Sequence, residues 1–347
     1  MAQTLEALNE GLDDDFREVI RHLQEIFVRG ATKFHGRATH TYGVGARGEA
    51  RIIVPETFPQ NDFLTGGKTY PLILRHSQPG GQQDNRTRDG AAASLKFFAG
   101  AADASARGLH DVTMNTGRTL FVRSARAFLS MVTTPNPDRV EKLLIPGILE
   151  DKILSEGYRN GGSFTDFYYH SQICFELKNP AGVGSFLRFR MINGDRGPER
   201  GRYPNSWEPK GITFYPALEN DSRSATFLKD DFLMRLRHGE VNYLLQGQLR
   251  PVGELEAVNC TRVWDPEVYP WVDLAKIKLI EPLTIEELDA LTFDANWTAP
   301  GINLPLATTG LWEGKQADNH ASLGHVRALV YALARKARAE SPQPHVN

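Results

Sequence analysis

The chain has 347 residues, of which 40 are Lys or Arg and 42 are Asp or Glu, giving a formal net charge of −2. This balance excludes bulk attraction to nucleic acid, and no stretch approaches the ~20 consecutive apolar residues of a membrane-spanning helix. Residues 1–16 are acidic and contain no apolar run, so we expect no secretory signal and a cytoplasmic protein.

The cysteine content is low, with Cys174 and Cys260 only. Two cysteines are too few for a disulfide framework, and their spacing fits no metal site. We expect both to be buried or idle thiols.

The predicted elements begin with a helix over residues 5–27, where apolar residues recur at helical spacing. From Thr41 the pattern changes to short β-rich runs separated by Gly and Asp clusters. Strands are predicted at 50–54, 70–74, 93–98, 118–122, 185–191, 241–249 and 259–263. Further helices are predicted between 125 and 170, near 225–238, and at the C-terminus with Ser322 as N-cap.

Many short strands that do not alternate regularly with helices favour an antiparallel sheet or barrel. No linker or internal repeat divides the sequence. We therefore predict one α+β domain over residues 1–340, followed by a disordered tail at 341–347.

One glycine motif is misleading. Gly43, Gly45 and Gly48 have the spacing of a dinucleotide-binding fingerprint, which requires a preceding strand and a following helix. Residues 52–54 read as a strand instead. We predict no nucleotide binding and assign the glycines to a tight hairpin.

The most informative motif lies on the C-terminal helix. Arg327 and Tyr331 are four residues apart and so share one helical face, with Arg338 two turns beyond Tyr331. A neighbouring guanidinium favours the anionic form of a phenol. A phenolate is a hard donor suited to ferric iron, and tyrosine is the proximal haem ligand of catalase.

Four upstream segments strengthen this interpretation. They resemble, in the same order, catalase superfamily segments that carry the distal histidine, a propionate-binding arginine, the distal asparagine and the approach to the haem-ligating helix. These segments are residues 37–49, 75–77, 114–123 and 264–302. Together with the helix of Tyr331, five individually weak motifs in one order make a specific match.

The closest resemblance is to the catalase-related allene oxide synthases, haem enzymes of fatty-acid hydroperoxides. It extends from about residue 33 to residue 338. The shared positions are 37–41, 114–117, Tyr168, Tyr169, Ser171, Gln172, 241–243 and 270–276. The resemblance implies a closed antiparallel β-barrel surrounded by helices, without the extra C-terminal domain of catalases. It also implies a ferric haem b with Tyr331 as the iron ligand, kept anionic by Arg327.

The resemblance further implies roles for the distal residues. His40 would be the acid/base beside a bound peroxide, with Ser77 supporting it, and Asn115 would donate a hydrogen bond to that peroxide. The alternatives are a structural histidine and, because Asn-Thr-Gly is turn-prone, a turn residue at Asn115.

Charged residues have implied roles as well. Arg37, Arg75 and Arg338 would bind the two haem propionates, which need cationic donors when partly buried. Lys33 matches a lysine at the mouth of the synthases' channel, where it would attract a fatty-acid carboxylate. The alternatives are ordinary surface arginines and a solvated lysine.

Thr39 distinguishes the possible reactions. True catalases usually carry Val immediately before the distal His, whereas the allene oxide synthases carry Thr. A hydroxyl that bonds the imidazole or the bound oxygen would restrain His40, disfavouring heterolytic O–O cleavage and leaving homolysis of an organic hydroperoxide. Ser77 favours the opposite outcome, because true catalases have Ser there and the synthases have Ala.

The predicted function is a ferric haem enzyme that converts fatty-acid hydroperoxides to an allene oxide or related epoxide by homolytic O–O cleavage. A lipoxygenase is the expected source of the hydroperoxide. One alternative is a small haem peroxidase or weak catalase acting on organic hydroperoxides or hydrogen peroxide. Another is a non-catalytic haem or lipid carrier, although a carrier needs no distal His/Asn pair. The hydroperoxide isomer, the product and the oligomeric state stay open.

Overall fold

The computed structural model describes residues 3–80, 83–150, 156–179, 182, 184–203, 215–239 and 241–340. The tail predicted at 341–347 lies outside these residues. None of the helices in the described part of the chain is long and apolar enough to cross a membrane.

Two helices open the chain where one was predicted. They are α1 (Leu5–Asn9) and α2 (Asp14–Lys33). The break lies at Gly11, whose φ is +67°, and Asp13 then caps α2 by accepting a hydrogen bond from the Phe16 N–H at 2.7 Å. The prediction of a single helix over residues 5–27 is therefore wrong in two respects: the helix is interrupted at residues 10–13, and α2 continues to Lys33.

In the described part of the chain, ten strands form one antiparallel sheet. They are β1 (Gly43–Ile52), β2 (Thr69–Ser77), β3 (Ala92–Phe97), β4 (His110–Thr116), β5 (Tyr169–His170), β6 (Phe175–Lys178), β7 (Gly184–Asn193), β8 (Asn242–Pro251), β9 (Val272–Pro282) and β10 (Ile302–Asn303). Eight of them run in the order β7-β5-β4-β3-β2-β1-β9-β8, and β8 pairs again with β7. This pairing closes the barrel, so the predicted α+β barrel is confirmed. Strands β6 and β10 extend the sheet outward from β7.

The three glycines of the misleading motif lie inside β1 and not in a hairpin turn. They pair with Ser77, Arg75 and Leu72 of β2. A Cβ at Gly48 would collide with the Lys278 carbonyl of β9, and one at Gly45 would lie 2.8 Å from the Leu74 carbonyl. Glycine is needed here because neighbouring backbones approach closely. The hairpin prediction is wrong, and the strand-then-helix context of a nucleotide site is absent.

Two predicted strands do not form. Residues 118–122 and 259–263 lie outside the strands and are joined by a backbone hydrogen bond from Leu120 N–H to the Cys260 carbonyl, at 2.8 Å. Val122 and Cys260 are both buried in the hydrophobic core. Their buried side chains fill space in the core, which sequence periodicity cannot distinguish from strand pairing.

The remaining α-helices of the described residues pack around the barrel. They are α3 (Ala125–Thr133), α4 (Phe227–Arg237), α5 (Ile285–Ala290) and α6 (Ser322–Glu340). The prediction of Ser322 as the N-cap is wrong, because Ser322 is the first residue of α6. Its hydroxyl accepts a hydrogen bond from the Ala125 N–H of α3 at 2.9 Å, while the Asn319 side chain accepts from the Ser322 N–H at 3.1 Å. Ser322 therefore joins α6 to α3.

Both cysteines are buried and free, as predicted. The Cys260 thiol donates to the Val122 carbonyl at 3.1 Å. Burial raises the pKa of each thiol to about 12, so neither is a reactive thiolate near neutral pH.

Candidate active site

Two adjoining cavities open between the barrel and the helices. Both are lined by Phe27, Thr39, His40, Asn115, Arg327 and Tyr331. The first cavity is also lined by Arg37, Arg75, Ser77 and Arg338. Residues predicted from distant parts of the sequence therefore meet around one space.

The barrel supplies part of this wall through the register of β2, β3 and β4. Alternate residues of a strand point to the same face, and aligned residues of neighbouring strands form rows across it. The two rows that line the first cavity are Arg75-Ser94-Thr113 and Ser77-Ala92-Asn115. Asn115 lies in strand β4, so the turn-residue alternative is wrong.

Arg327 connects Tyr331 to the barrel. The Arg327 Nε donates to the Tyr331 hydroxyl oxygen at 3.1 Å, one helical turn apart as the sequence predicted. Arg327 also donates from Nη2 to the Thr113 hydroxyl at 3.2 Å. Sequence reasoning missed Thr113, which anchors the guanidinium to the barrel. An anionic phenolate oxygen would require such a cationic donor.

His40 adopts an uncommon backbone conformation, with φ at +55°. Its N–H donates to the Pro79 carbonyl at 3.4 Å, and its Nδ1 lies 3.1 Å from the Ser77 hydroxyl oxygen. Burial, followed by the charges of nearby arginines, lowers the pKa of His40 to about 3. The imidazole is therefore neutral near pH 7 and can accept a proton.

Thr39 lies at the site, as the resemblance implied, whereas Lys33 lies outside it. Thr39 is exposed and lines both cavities, but the described hydrogen bond of the His40 ring goes to Ser77 and not to Thr39. Lys33 is exposed at the end of α2, with Nζ 5.5 Å from the Phe34 ring centroid. Among the described lining residues of either cavity, Lys33 does not occur.

Gln172 holds the Asn115 side chain. The Asn115 amide donates to Gln172 Oε1 at 3.2 Å. Gln172 Nε2 in turn donates to the carbonyls of Thr116, Gly117 and Thr119 at 3.0 to 3.2 Å. The sequence identified Gln172 as a shared residue without assigning it a role. Its contacts orient the Asn115 amide toward the cavity.

Replacing Gln172 with Ala should therefore weaken the contribution of Asn115. If the proposed hydroperoxide turnover occurs, we expect kcat to fall about fivefold, the equivalent of one hydrogen bond of ~1 kcal/mol, with haem content unchanged. Steady-state kinetics of Gln172→Ala, Asn115→Ala and the double variant would measure this. Independent, additive losses would contradict the coupling of the two amides.

Arginines crowd one end of the first cavity. Arg37 donates to the carbonyls of Leu288 and Leu291, and Arg338 donates to that of Leu291 at 3.1 Å. Both are thereby tied to the C-terminal end of α5, where carbonyl dipoles favour cations. Arg75 donates to the His40 carbonyl at 2.8 Å.

Comparisons with known proteins show which sequences and folds this chain is similar to. No family model matches the sequence. The chain is 42% identical over 240 residues, 67% of its length, to the whole of the uncharacterized protein y4iK of Sinorhizobium fredii. It is 29% identical over 335 residues, 96% of its length, to linolenate 9R-lipoxygenase of Nostoc sp.. It is 31% identical over 322 residues, 90% of its length, to the allene oxide synthase-lipoxygenase protein of Plexaura homomalla. The chain spans only 42% and 29% of the lengths of the last two proteins.

Solved structures agree in fold. A bacterial catalase superposes with a TM-score of 0.61 at 17% identity, covering 87% of this chain and 57% of the catalase. A fungal catalase gives 0.62 at 16% identity, covering 87% and 59%. The chain therefore has the fold of the catalases. In sequence it is similar to the allene oxide synthase-lipoxygenase protein.

The arginine cluster of this catalase-like chain fits a haem that carries two carboxylates. Arg75 is buried, and its Nε has no hydrogen-bond partner among the described residues. Burial, followed by the charge of Arg338, lowers the pKa of Arg75 to about 10. Burial and the charges of Arg75 and Arg338 also lower the pKa of Arg37. Anions at this end of the cavity would relieve the crowding of positive charge and satisfy the free Nε.

Proposed function

We propose that this chain is a ferric haem enzyme that converts fatty-acid hydroperoxides to an allene oxide or related epoxide by homolytic O–O cleavage. One observation carries the proposal. A single cavity brings the Arg327-bound Tyr331 together with His40 and Asn115, in a chain related to an allene oxide synthase-lipoxygenase protein. The names of two similar proteins contain the word lipoxygenase. A lipoxygenase product, a fatty-acid hydroperoxide, is therefore the proposed substrate.

The proposed cofactor is haem b with Tyr331 as iron ligand. When bound, haem supplies an iron centre that binds a hydroperoxide and cleaves its O–O bond. Arg327 donates a hydrogen bond to the Tyr331 oxygen, and such a cationic donor would stabilise an anionic iron ligand. Arg37, Arg75 and Arg338 hold the propionates, since these cations line one end of the cavity.

The distal residues act on the hydroperoxide itself. His40 is neutral, because its pKa is lowered to about 3, and it accepts the O–H proton of the hydroperoxide and returns it to the oxygen that leaves as water. The Asn115 amide, oriented by Gln172, donates a hydrogen bond to the substrate oxygen. These roles require no external reductant.

Thr39 is proposed to direct the reaction away from catalase chemistry. We expect the wild type to release little oxygen from hydrogen peroxide and Thr39→Val to release more, because the Thr39 hydroxyl, which lines both cavities, would no longer hold the bound oxygen away from His40. General acid–base assistance is worth roughly a hundred- to ten-thousand-fold, so partial recovery would be measurable with an oxygen electrode. Thr39→Ser keeps the hydroxyl and should behave as the wild type. Rapid oxygen release by the wild type, with no gain in Thr39→Val, would contradict the restraint.

A haem peroxidase or weak catalase is the second candidate. The observation that favours it is the contact between His40 Nδ1 and the Ser77 hydroxyl, at 3.1 Å. The resemblance assigns this serine to true catalases. Ser77 would orient the imidazole for heterolytic cleavage.

One experiment separates the two candidates. The haem-loaded protein is given a panel of fatty-acid hydroperoxides and, separately, hydrogen peroxide, with and without an electron donor. Hydroperoxide consumption without a donor supports the proposed function. Consumption only with a donor indicates a peroxidase, and dominant oxygen release from hydrogen peroxide indicates a catalase.

A further inference from the structure

The second cavity continues away from Tyr331 along an apolar wall. The Phe27 ring lies 6.2 Å from the Tyr331 ring and 6.0 Å from the Phe128 ring, between centroids. Phe128 belongs to α3, which also lines the cavity through Met131 and Val132, three and four residues later on the same helical face. A second run, Leu120-Phe121-Val122, lines the same space. Such a wall suits an extended hydrocarbon chain.

Besides Arg327 on α6, one positively charged side chain is found among the described residues that line this cavity. Among the described residues that line it, Arg327 and Arg139 are the arginines or lysines, and Arg327 is bonded to Tyr331. Arg139 lies just before a π-helical turn, Val140–Leu144. Its Nε donates to the Thr134 carbonyl at 3.0 Å, which holds the side chain in place. Burial lowers the pKa of Arg139, so an anionic ligand would stabilise its charged form.

Asp89 is the carboxylate among the described residues that line this cavity, and it repels an anionic ligand only weakly. Asp89 accepts hydrogen bonds from the N–H groups of Gly80 and Gly90 at 2.8 and 2.7 Å. Burial raises the pKa of Asp89 to about 7. Asp89 therefore carries less negative charge near neutral pH than an ordinary aspartate does.

We infer that Arg139 binds the carboxylate of the substrate, a long-chain fatty acid whose hydrocarbon lies along the apolar wall between Arg139 and His40. The identity of this ligand rests on the proposed function. Arg139 is favoured over Lys33 because it lines the cavity, whereas Lys33 is exposed outside its described lining. A guanidinium also suits a carboxylate geometrically, since two of its N–H groups bond the two oxygens.

The test uses binding of an unreactive ligand to the haem-loaded protein. A saturated fatty acid and its methyl ester are titrated into the wild type, Arg139→Gln, Lys33→Gln and Lys142→Gln by calorimetry. We expect Arg139→Gln to weaken the acid roughly ten- to a hundredfold, as for a lost hydrogen bond to a charged group, and to leave the ester unchanged. Lys142 is the matched control, because it is exposed in the same turn, pairs with Asp138 and does not line the cavity.

Three results would overturn the inference. The first is an Arg139→Gln variant that binds the acid as tightly as the wild type does. The second is a loss of affinity for the acid, but not for the ester, in Lys33→Gln and not in Arg139→Gln. Equal losses for acid and ester in Arg139→Gln would assign Arg139 a structural role. Arg139→Lys, which keeps the charge, should recover part of the acid affinity.

The same protein separates this inference from the proposed function. If the wild type consumes no hydroperoxide but Arg139→Gln still weakens only the acid, the reaction is wrong and the carboxylate site stands. If the wild type consumes hydroperoxide and Arg139→Gln shows wild-type KM for acid and ester substrates, the site is wrong and the reaction stands.

Discussion

Tyr331→Phe is expected to lose haem or, where haem is retained, to lose the ferric tyrosinate spectrum. The substitution removes the one oxygen of this side chain, the atom that accepts the Arg327 hydrogen bond at 3.1 Å. The aromatic ring and its contact with Phe27 are kept, so the helix packing should survive. Haem content per chain and the absorption spectrum after purification measure the effect.

The matched control for this substitution is Tyr158→Phe. Tyr158 lines the second cavity but is not among the described residues lining the first. This variant should retain haem and the wild-type spectrum. An unchanged spectrum in Tyr331→Phe would assign the iron ligand to another residue and contradict the proposed site.

His40→Ala is expected to bind haem normally and to lose most hydroperoxide turnover. Loss of a general acid–base group costs roughly a hundred- to ten-thousand-fold. Ser77→Ala is the comparison, because it removes the hydroxyl 3.1 Å from His40 Nδ1 but keeps the imidazole. It should cost only about fivefold, the equivalent of one hydrogen bond. Retained activity in His40→Ala would show that His40 is structural.

The pH dependence provides a further check on His40. Its pKa in the folded protein is lowered from 6.5 to about 3, so the imidazole stays neutral and able to accept a proton as pH falls from 7 toward 4. Activity should therefore show no loss with a midpoint near pH 6.5. A loss centred there, present in Ser77→Ala but absent from the residual activity of His40→Ala, would show that His40 titrates as an ordinary histidine.

Local spacing made part of the site predictable. Arg327 and Tyr331 are one helical turn apart, so their contact follows from the sequence once a helix is assumed. His40, Arg75 and Asn115 could be placed together only through the resemblance, because Arg75 and Asn115 belong to separate strands of the barrel and His40 precedes β1. The closed barrel followed from many short strands combined with that same resemblance.

Other features depend on tertiary contacts that no local pattern indicates. Gln172 reaches Asn115 across 57 residues of sequence, and Arg139 lines the second cavity through the fold of the chain after α3. The strands predicted at 118–122 and 259–263 are wrong because a partly buried loop can carry the same β-branched and apolar residues as a strand. Lys33 was placed by resemblance alone, and its exposed position at the end of α2 keeps it out of the described cavity walls.

The most direct test of the proposed function is product identification by mass spectrometry, with haem-loaded protein, one fatty-acid hydroperoxide and no electron donor. Methanol added during the reaction would trap an allene oxide. The expected result is a methanol adduct of the dehydrated fatty acid or, for a related epoxide, a product isomeric with the hydroperoxide. Recovery of unchanged hydroperoxide, with the hydroxy acid formed only when an electron donor is supplied, would contradict the proposal and identify a peroxidase.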